Sequence, residues 1–228
     1  MRQLALDIGL NAGPTLANFF PGPNEVAWKH LTLWLGNQSV PSSRSPVPTY
    51  LSGPTGSGKS HLLRAVQSGL SSHGQLAGWL DASIVDPSAF DERWSAVLMD
   101  DVHRYTAVQQ QAAFNWFVNA QTQHIVVMAT GDVAAAHLKL REDLRSRLAW
   151  GHAFTLQTMS DDERRSVLRQ QADARGIFLS DEVMNFMLSR FSRDLGHLIQ
   201  LLNQLDGYAL QTQRTVTIPL LKAMLEES

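Results

Sequence analysis

Gly53-Pro54-Thr55-Gly56-Ser57-Gly58-Lys59-Ser60 is the stretch on which the reading of this sequence turns. It fits G-x-x-x-x-G-K-[ST], a glycine-rich loop whose backbone N–H groups cradle phosphates. Before it, Thr49-Tyr50-Leu51-Ser52 is β-prone and partly apolar, and reads as a buried strand led in by Pro48. After it, His61-Leu62-Leu63-Arg64-Ala65-Val66 has apolar residues at helical spacing. Strand, glycine-rich turn and helix in that order separate a working phosphate loop from a chance match. Each position then has an expected role. Gly53, Gly56 and Gly58 let successive N–H groups turn inward as an anion nest at a helix N-terminus, and Pro54, Thr55, Ser57 and His61 are counted with them in the nucleotide cradle. Lys59 reaches the β- and γ-phosphates as a mobile point charge. Ser60 supplies its hydroxyl to Mg²⁺.

The whole chain sets bounds on what surrounds this loop. Its 228 residues fit one large domain, or a core with a smaller second unit. An apolar fraction of 44% and a mean hydropathy of -0.14 are ordinary for a globular protein. A formal net charge of -2 makes no demand for nucleic acid or a membrane surface. With no cysteine there is no disulfide, no thiolate metal site and no thiol nucleophile, which suits a reducing compartment. Eight histidines are scattered without paired ligand spacing, so no structural metal is expected. The N-terminus is too short and too polar for a signal sequence. No run approaches the roughly 18 apolar residues of a spanning helix. The expectation is a soluble cytoplasmic protein with no membrane partner.

Along the chain, apolar runs alternate with helical patterns. Val26 to Leu35 reads as a helix with Glu25 in its first turn, offering Val26, Leu31, Leu33, Trp34 and Leu35 for packing. Residues 36–48 are polar and proline-rich, a surface loop. Leu76 to Leu80 is a second strand, followed by a loop and a short helix carrying Pro87, Phe90 and Trp94. Ala96-Val97-Leu98-Met99 is a continuous apolar run that ends in Asp100-Asp101, as buried parallel strands do. A helix is expected over Ala107 to Gln121 with Phe114, Phe117 and Val118 on one face. Ile125 to Ala129 is the next buried strand, ending in Thr130-Gly131-Asp132. Residues 138–150 are charged and helical, and Ala153 to Leu156 is the fifth strand. Strands alternating with helices predict a parallel α/β sheet with right-handed connections. From residue 158 the character changes: Ser160-Asp161-Asp162-Glu163 opens a capping box, and four helices follow over about 160–175, 181–191, 194–212 and 218–226.

Carboxyl ends of parallel strands are where ligand chemistry sits. Asp100 there is expected to hold Mg²⁺ with Ser60, and Asp101 beside it to orient an attacking water. Thr130, at the end of the following strand, is placed to sense the γ-phosphate or its water, although a plain strand-end threonine is an equal reading.

These residues together resemble a known family. The order of phosphate loop, Asp-Asp strand, Thr-Gly-Asp strand end and Leu144-Arg145-Ser146-Arg147-Leu148-Ala149-Trp150-Gly151 resembles the AAA+ ATPases of the bacterial replication-initiator group, DnaA and its relatives. Phe19-Phe20-Pro21-Gly22-Pro23-Asn24 looks like that group's adenine-side segment, which makes Asn24 a nucleotide residue. The resemblance covers nearly all of residues 14–228. It implies a P-loop AAA+ core with a five-stranded parallel sheet at 14–157, an all-α lid at 158–228, and ADP or ATP with Mg²⁺ as cofactors. The likeness is strongest to the regulatory-inactivator branch of the group, since the chain stops after one lid. Its residues 1–13 carry Gln3-Leu4-Ala5-Leu6-Asp7-Ile8, similar to the peptide that docks on the replicative sliding clamp, the β subunit of DNA polymerase III. Gln3, Leu4, Leu6 and Ile8 form an extended segment with apolar anchors and one amide, a sensible groove ligand.

What the resemblance implies for function is specific. Such a protein, docked on DNA-loaded clamp and so associated with DNA only indirectly, promotes hydrolysis of the ATP on DnaA, and Arg147 occupies the position of the arginine finger supplied across the interface. Its own hydrolysis would be weak or absent. Self-association stays open. One position departs from the pattern: the arginine that the family places at the start of the third lid helix falls here on Gly196, with Arg193 and His197 as neighbouring cations. The alternative reading is a free-standing ATPase of the helicase-loader kind, which shares the core.

Overall fold

The computed structural model describes residues 13–36, 45–191 and 195–227, which fall into two compact units, one from Gly13 to Thr158 and one from Met159 onward. The docking segment at Gln3–Ile8 and the cation Arg193 lie outside the described residues.

The first unit is a three-layer α/β sandwich. Its strands are β1 (Thr49–Ser52), β2 (Leu76–Leu80), β3 (Trp94–Met99), β4 (Val126–Gly131) and β5 (His152–Thr155). All pair in parallel, in the order β2-β3-β4-β1-β5. The helices of the unit are α1 (Glu25–Gly36), α2 (Lys59–Ser72), α3 (Ala107–Thr122) and α4 (Glu142–Ala149).

Strand periodicity explains why the sheet needs helices on both faces. Side chains alternate across a pleated strand, so neighbours in sequence enter different cores. Tyr50, Val97, Met99, Val127 and Ala129 pack with Ala113, Trp116 and Phe117 of α3 and Leu144 and Leu148 of α4. Leu51, Ala96, Leu98, Val126 and Met128 pack with Ala27, Leu31 and Trp34 of α1 and Leu62, Leu63, Val66 and Leu70 of α2. The continuous apolar runs of β3 and β4 are the signature of this double burial. β5, at the sheet edge, is largely exposed along its length.

Several local expectations change. The short helix expected around Pro87 and Phe90 does not form, and Trp94 opens β3 instead. The loop's carbonyls are satisfied by α3: the buried Gln109 amide donates to the carbonyls of Asp81, Ala82 and Ile84, and Trp116 Nε1 donates to Ser88 O at 3.0 Å. Those bonds meet the backbone demand that a helix would otherwise have met. On α1, Val26 and Leu33 face solvent, and Ala27 takes the core position between them. On α3, Trp116 is buried beside Phe117, a contact that the Phe114–Phe117–Val118 pattern did not single out.

The second unit is helical: α5 (Asp161–Asp173), α6 (Asp181–Arg190), α7 (Leu195–Thr212) and α8 (Ile218–Glu227). The Ser160–Glu163 capping box forms in both directions. Its core is built from Leu168, Val183, Met184, Met187, Leu198, Leu202, Leu205, Leu220 and Leu221. No described helix is long and apolar enough to cross a membrane.

One packing feature is sensitive to acid. His30 of α1 lies with its ring 4.7 Å from that of His152 and 5.0 Å from that of Phe154, and its Nε2 is 3.0 Å from Thr49 Oγ1. Burial, then the His152 imidazole, push His30 below the ordinary histidine value of 6.5. The folded chain therefore binds this proton less readily than the unfolded chain. The associated stability is complete above about pH 6.5 and is lost as pH falls through the folded-state value. Denaturant unfolding between about pH 7.5 and about pH 5.5 should show a steeper acid loss for the natural chain than for His30→Gln. Equal slopes would remove His30 from the acid sensitivity.

Candidate functional site

Because β3, β4 and β1 are adjacent, their carboxyl ends bring Asp100, Thr130 and the glycine-rich loop to one place. Residues separated by about thirty to forty positions in sequence become hydrogen-bonding neighbours.

The loop leaves β1 under tight constraint. Gly53 has φ +146°, and a Cβ on it would stand 2.4 Å from Leu156 O, so only glycine lets the loop pass the chain leaving β5. Gly58 has φ +92° and lies under the Phe19 ring, where a Cβ would come within 2.7 Å of the aromatic edge. α2 starts immediately after Gly58 with no side-chain cap and no acidic residue in its first turn. Its free N–H groups thus present a positive helix end to the loop. Lys59 is 7% exposed, and its Nζ donates to Gly53 O at 2.7 Å and Pro54 O at 2.9 Å. Ser57 Oγ is buried without a partner. A desolvated ammonium resting on neutral carbonyls, an orphan hydroxyl and an uncapped helix start all fit an anion of phosphate type.

Asp100 closes the other side. Its carboxylate is buried, and Oδ1 accepts from Ser60 Oγ at 3.0 Å and from Thr130 Oγ1 at 2.6 Å. The Thr130 hydroxyl in turn accepts from the Asp101 backbone N–H at 2.8 Å. Thr130 is fully buried and ties the two acidic residues to β4. Ser60 and Asp100 offer two oxygens side by side, a donor set suited to Mg²⁺ shared with phosphate and water. Among the described residues no group of three or more His, Asp or Glu could hold a metal.

Asp101 is in the left-handed region at φ +52°. Its carboxylate lies 4.0 Å from His103 Nδ1 and 3.9 Å from Arg104 Nη1. His103 Nδ1 is also 3.8 Å from Asp132 Oδ1, and is buried without a hydrogen bond. Burial, then Asp132 and Asp101, drive the nearby Tyr50 hydroxyl far above its ordinary range. It donates instead to Val133 O at 2.7 Å. His103 carries no periodicity signal, and sequence reading missed it.

Two expected nucleotide residues act through the chain instead. Asn24 is buried, and its amide is spent on backbone: Nδ2 donates to Gln157 O at 2.9 Å and Ser57 O at 3.5 Å, while Oδ1 accepts from Gln157 N at 2.8 Å. It clasps the 3-10 turn Gly22–Asn24 to the loop and to the exit of β5. His61 Nε2 lies 3.1 Å from Thr15 O with its ring against Phe19. Pro54, Thr55 and Gly56 form the exposed rim.

Arg147 is placed elsewhere. On α4, its Nη1 donates to Gln121 Oε1 at 2.8 Å, and its guanidinium lies 5.5 Å from the Phe114 ring and 6.0 Å from that of Phe117. These side-chain contacts are all with α3. In the second unit, Gly196 falls in the first turn of α7, with His197 following it.

The fold is that of a DnaA-like AAA+ protein. Domain III of the Thermotoga maritima replication initiation protein DnaA superposes with TM-score 0.68 at 20% identity, covering 95% of this chain and 97% of that one. AMPPCP-bound DnaA from Aquifex aeolicus gives 0.64 at 20% identity, over 89% and 67%. A Thermotoga maritima RuvB variant gives 0.60 at 16%, over 93% and 71%. More particularly, residues 161–225, the helical unit, match the family model described as Hda, lid domain.

Removing the Thr130 hydroxyl tests the strand-end network. Thr130→Val leaves the Asp101 N–H without its acceptor and Asp100 without its closest donor. A loss of about 1–3 kcal/mol is expected in urea unfolding, with weakened binding of fluorescent ADP, and Thr130→Ser should restore most of both. A valine variant that matches the natural chain in both assays would contradict this account.

Proposed function

We propose that this protein is a nucleotide-bound regulator of DnaA that docks on the DNA-loaded sliding clamp and stimulates hydrolysis of DnaA-bound ATP, restraining initiation of replication. The observation that carries this reading is a division of labour between two groups. Lys59, Ser60, Asp100 and Thr130 are knit to one another and to the loop. Among the described residues, the Arg147 guanidinium is held from α3, by Gln121, Phe114 and Phe117. A cation on the outside of α4 suits action on a neighbour's nucleotide rather than on the chain's own. The Hda-type lid supports the same assignment.

In this reading the glycine loop, Lys59 and the first turn of α2 bind the phosphates of ADP or ATP, and Ser60 and Asp100 hold Mg²⁺. Bound Mg²⁺ would neutralise charge on the phosphate oxygens. Asp101 stands where a water-orienting carboxylate belongs, with His103 Nδ1 at 4.0 Å and Arg104 Nη1 at 3.9 Å. Gly196 supplies no cation at the lid position, which favours stable retention of a diphosphate. Arg147, delivered across the interface, stabilises charge developing on the γ-phosphoryl of DnaA-bound ATP, an effect worth about 10³–10⁵ in rate for arginine fingers. Gln3, Leu4, Leu6 and Ile8 dock on the β clamp.

Two measurements check this. Arg147→Ala should abolish stimulated hydrolysis of DnaA-bound ATP in the presence of loaded clamp while leaving fluorescent ADP binding intact; undiminished stimulation removes Arg147 from the mechanism. Gln3→Ala with Leu4→Ala should abolish retention on immobilised clamp. Retention that survives both substitutions overturns the docking assignment.

A further inference from the structure

Arg147 and Asp143 stand four residues apart on α4, the spacing at which an acidic residue and a following arginine pair on a helix surface. Both line a surface cavity of about 350 Å³ with Gln121, Ser146 and the exposed Trp150. Yet they do not pair. Asp143 is held by Arg141 in a two-pronged contact, Nε to Oδ1 at 2.6 Å and Nη2 to Oδ2 at 2.7 Å. Arg141 is itself fixed from α3: its backbone N–H donates to Gln110 Oε1 at 3.0 Å, its Nη1 bonds Gln111 Oε1, and its guanidinium lies 4.6 Å from the Phe114 ring. The hydrogen bonds from Arg141 hold the Asp143 carboxyl below the usual carboxylate range. Among the described residues no carboxylate lies within 4.0 Å of the Arg147 guanidinium, whose side-chain hydrogen bond goes to the neutral Gln121 amide.

We infer that Arg141 is a positioning residue for Arg147: by occupying Asp143 it keeps the α4 carboxylate from capturing the finger, and the neutral Gln121 holds the guanidinium in place without neutralising it. This rests on the proposed role of Arg147. A two-pronged arginine–carboxylate contact is geometrically stronger than a single-point one, so Asp143 prefers Arg141 as long as α3 presents it. A finger paired to its own carboxylate would have to break that ion pair before reaching a neighbour's phosphate. A finger on an amide gives up one neutral hydrogen bond.

The test is a mutant cycle on full-length protein, with single-turnover hydrolysis of DnaA-bound ATP on loaded clamp at low salt. Arg141→Ala frees Asp143 and should lower stimulation about two- to threefold, the scale of a surface ion pair at this spacing. Asp143→Asn alone should leave stimulation within about twofold of the natural chain, and Arg141→Ala with Asp143→Asn should recover it. Gln121→Glu puts a carboxylate directly on Arg147 and should lower stimulation about fivefold or more, because that pair is half-buried. Arg147 guanidinium resonances in NMR should show slowed rotation in Arg141→Ala and Gln121→Glu but not in the double variant. If Arg147→Ala abolishes stimulation while the double variant is no better than Arg141→Ala, the inference fails and the finger stands. If Arg147→Ala is silent, the underlying functional reading fails first.

Discussion

The buried Asp100 carboxylate is the interaction on which the site depends. A carboxyl group at 6% exposure is costly to desolvate and needs strong donors. It has two, the hydroxyls of Ser60 and Thr130, each from a different segment. Satisfying one charge therefore fixes the start of α2, the end of β3 and the end of β4 relative to each other. Thr130 passes the constraint on to the backbone of Asp101, which is held in a left-handed conformation that few non-glycine residues adopt. Such positions persist where surrounding bonds over-determine them. The same three segments line the proposed phosphate site, so the bonds that make the fold locally rigid also place the groups that would meet a nucleotide there.

What was legible in the sequence follows from range. The loop and its flanks are local, and β1, the glycine turn and α2 stand where the pattern puts them. The buried strands announced themselves because double-sided burial writes a continuous apolar run, as in Ala96–Met99 and Ile125–Ala129. The lid helices were equally plain from their caps and spacing. Less legible was everything decided by a partner far away in the chain. No local pattern says that Gln109 and Trp116 will meet the carbonyls of the 81–90 loop, and so a helix was expected where none forms. No local pattern says that Asn24 will spend its whole amide on Gln157 and Ser57, 133 and 33 residues away. Thr130 was a weak signal alone, and the strand order made it decisive by setting β4 between β3 and β1.

Cations among the described residues meet either a carboxylate or neutral groups. Arg93 is spent on Asp91, Arg141 on Asp143, Arg164 on Asp161 and Arg169 on Asp181. Three of these are surface pairs, worth little individually; Arg164 is itself buried. Lys59 and Arg147 rest on neutral oxygens, as do Arg165 on Asn185 and Arg175 on Gln171. Lys59 rests on two backbone carbonyls and Arg147 on one glutamine amide, so each is oriented while its charge is left uncompensated. Neutral oxygens satisfy donors without lowering the attraction for an arriving anion, and near low-dielectric walls that retained charge acts strongly. Lys59 is held against its own glycine-rich loop, whereas Arg147 lies on α4 against α3. In the proposed function the same device serves twice, Lys59 on the chain's own nucleotide and Arg147 on a partner's.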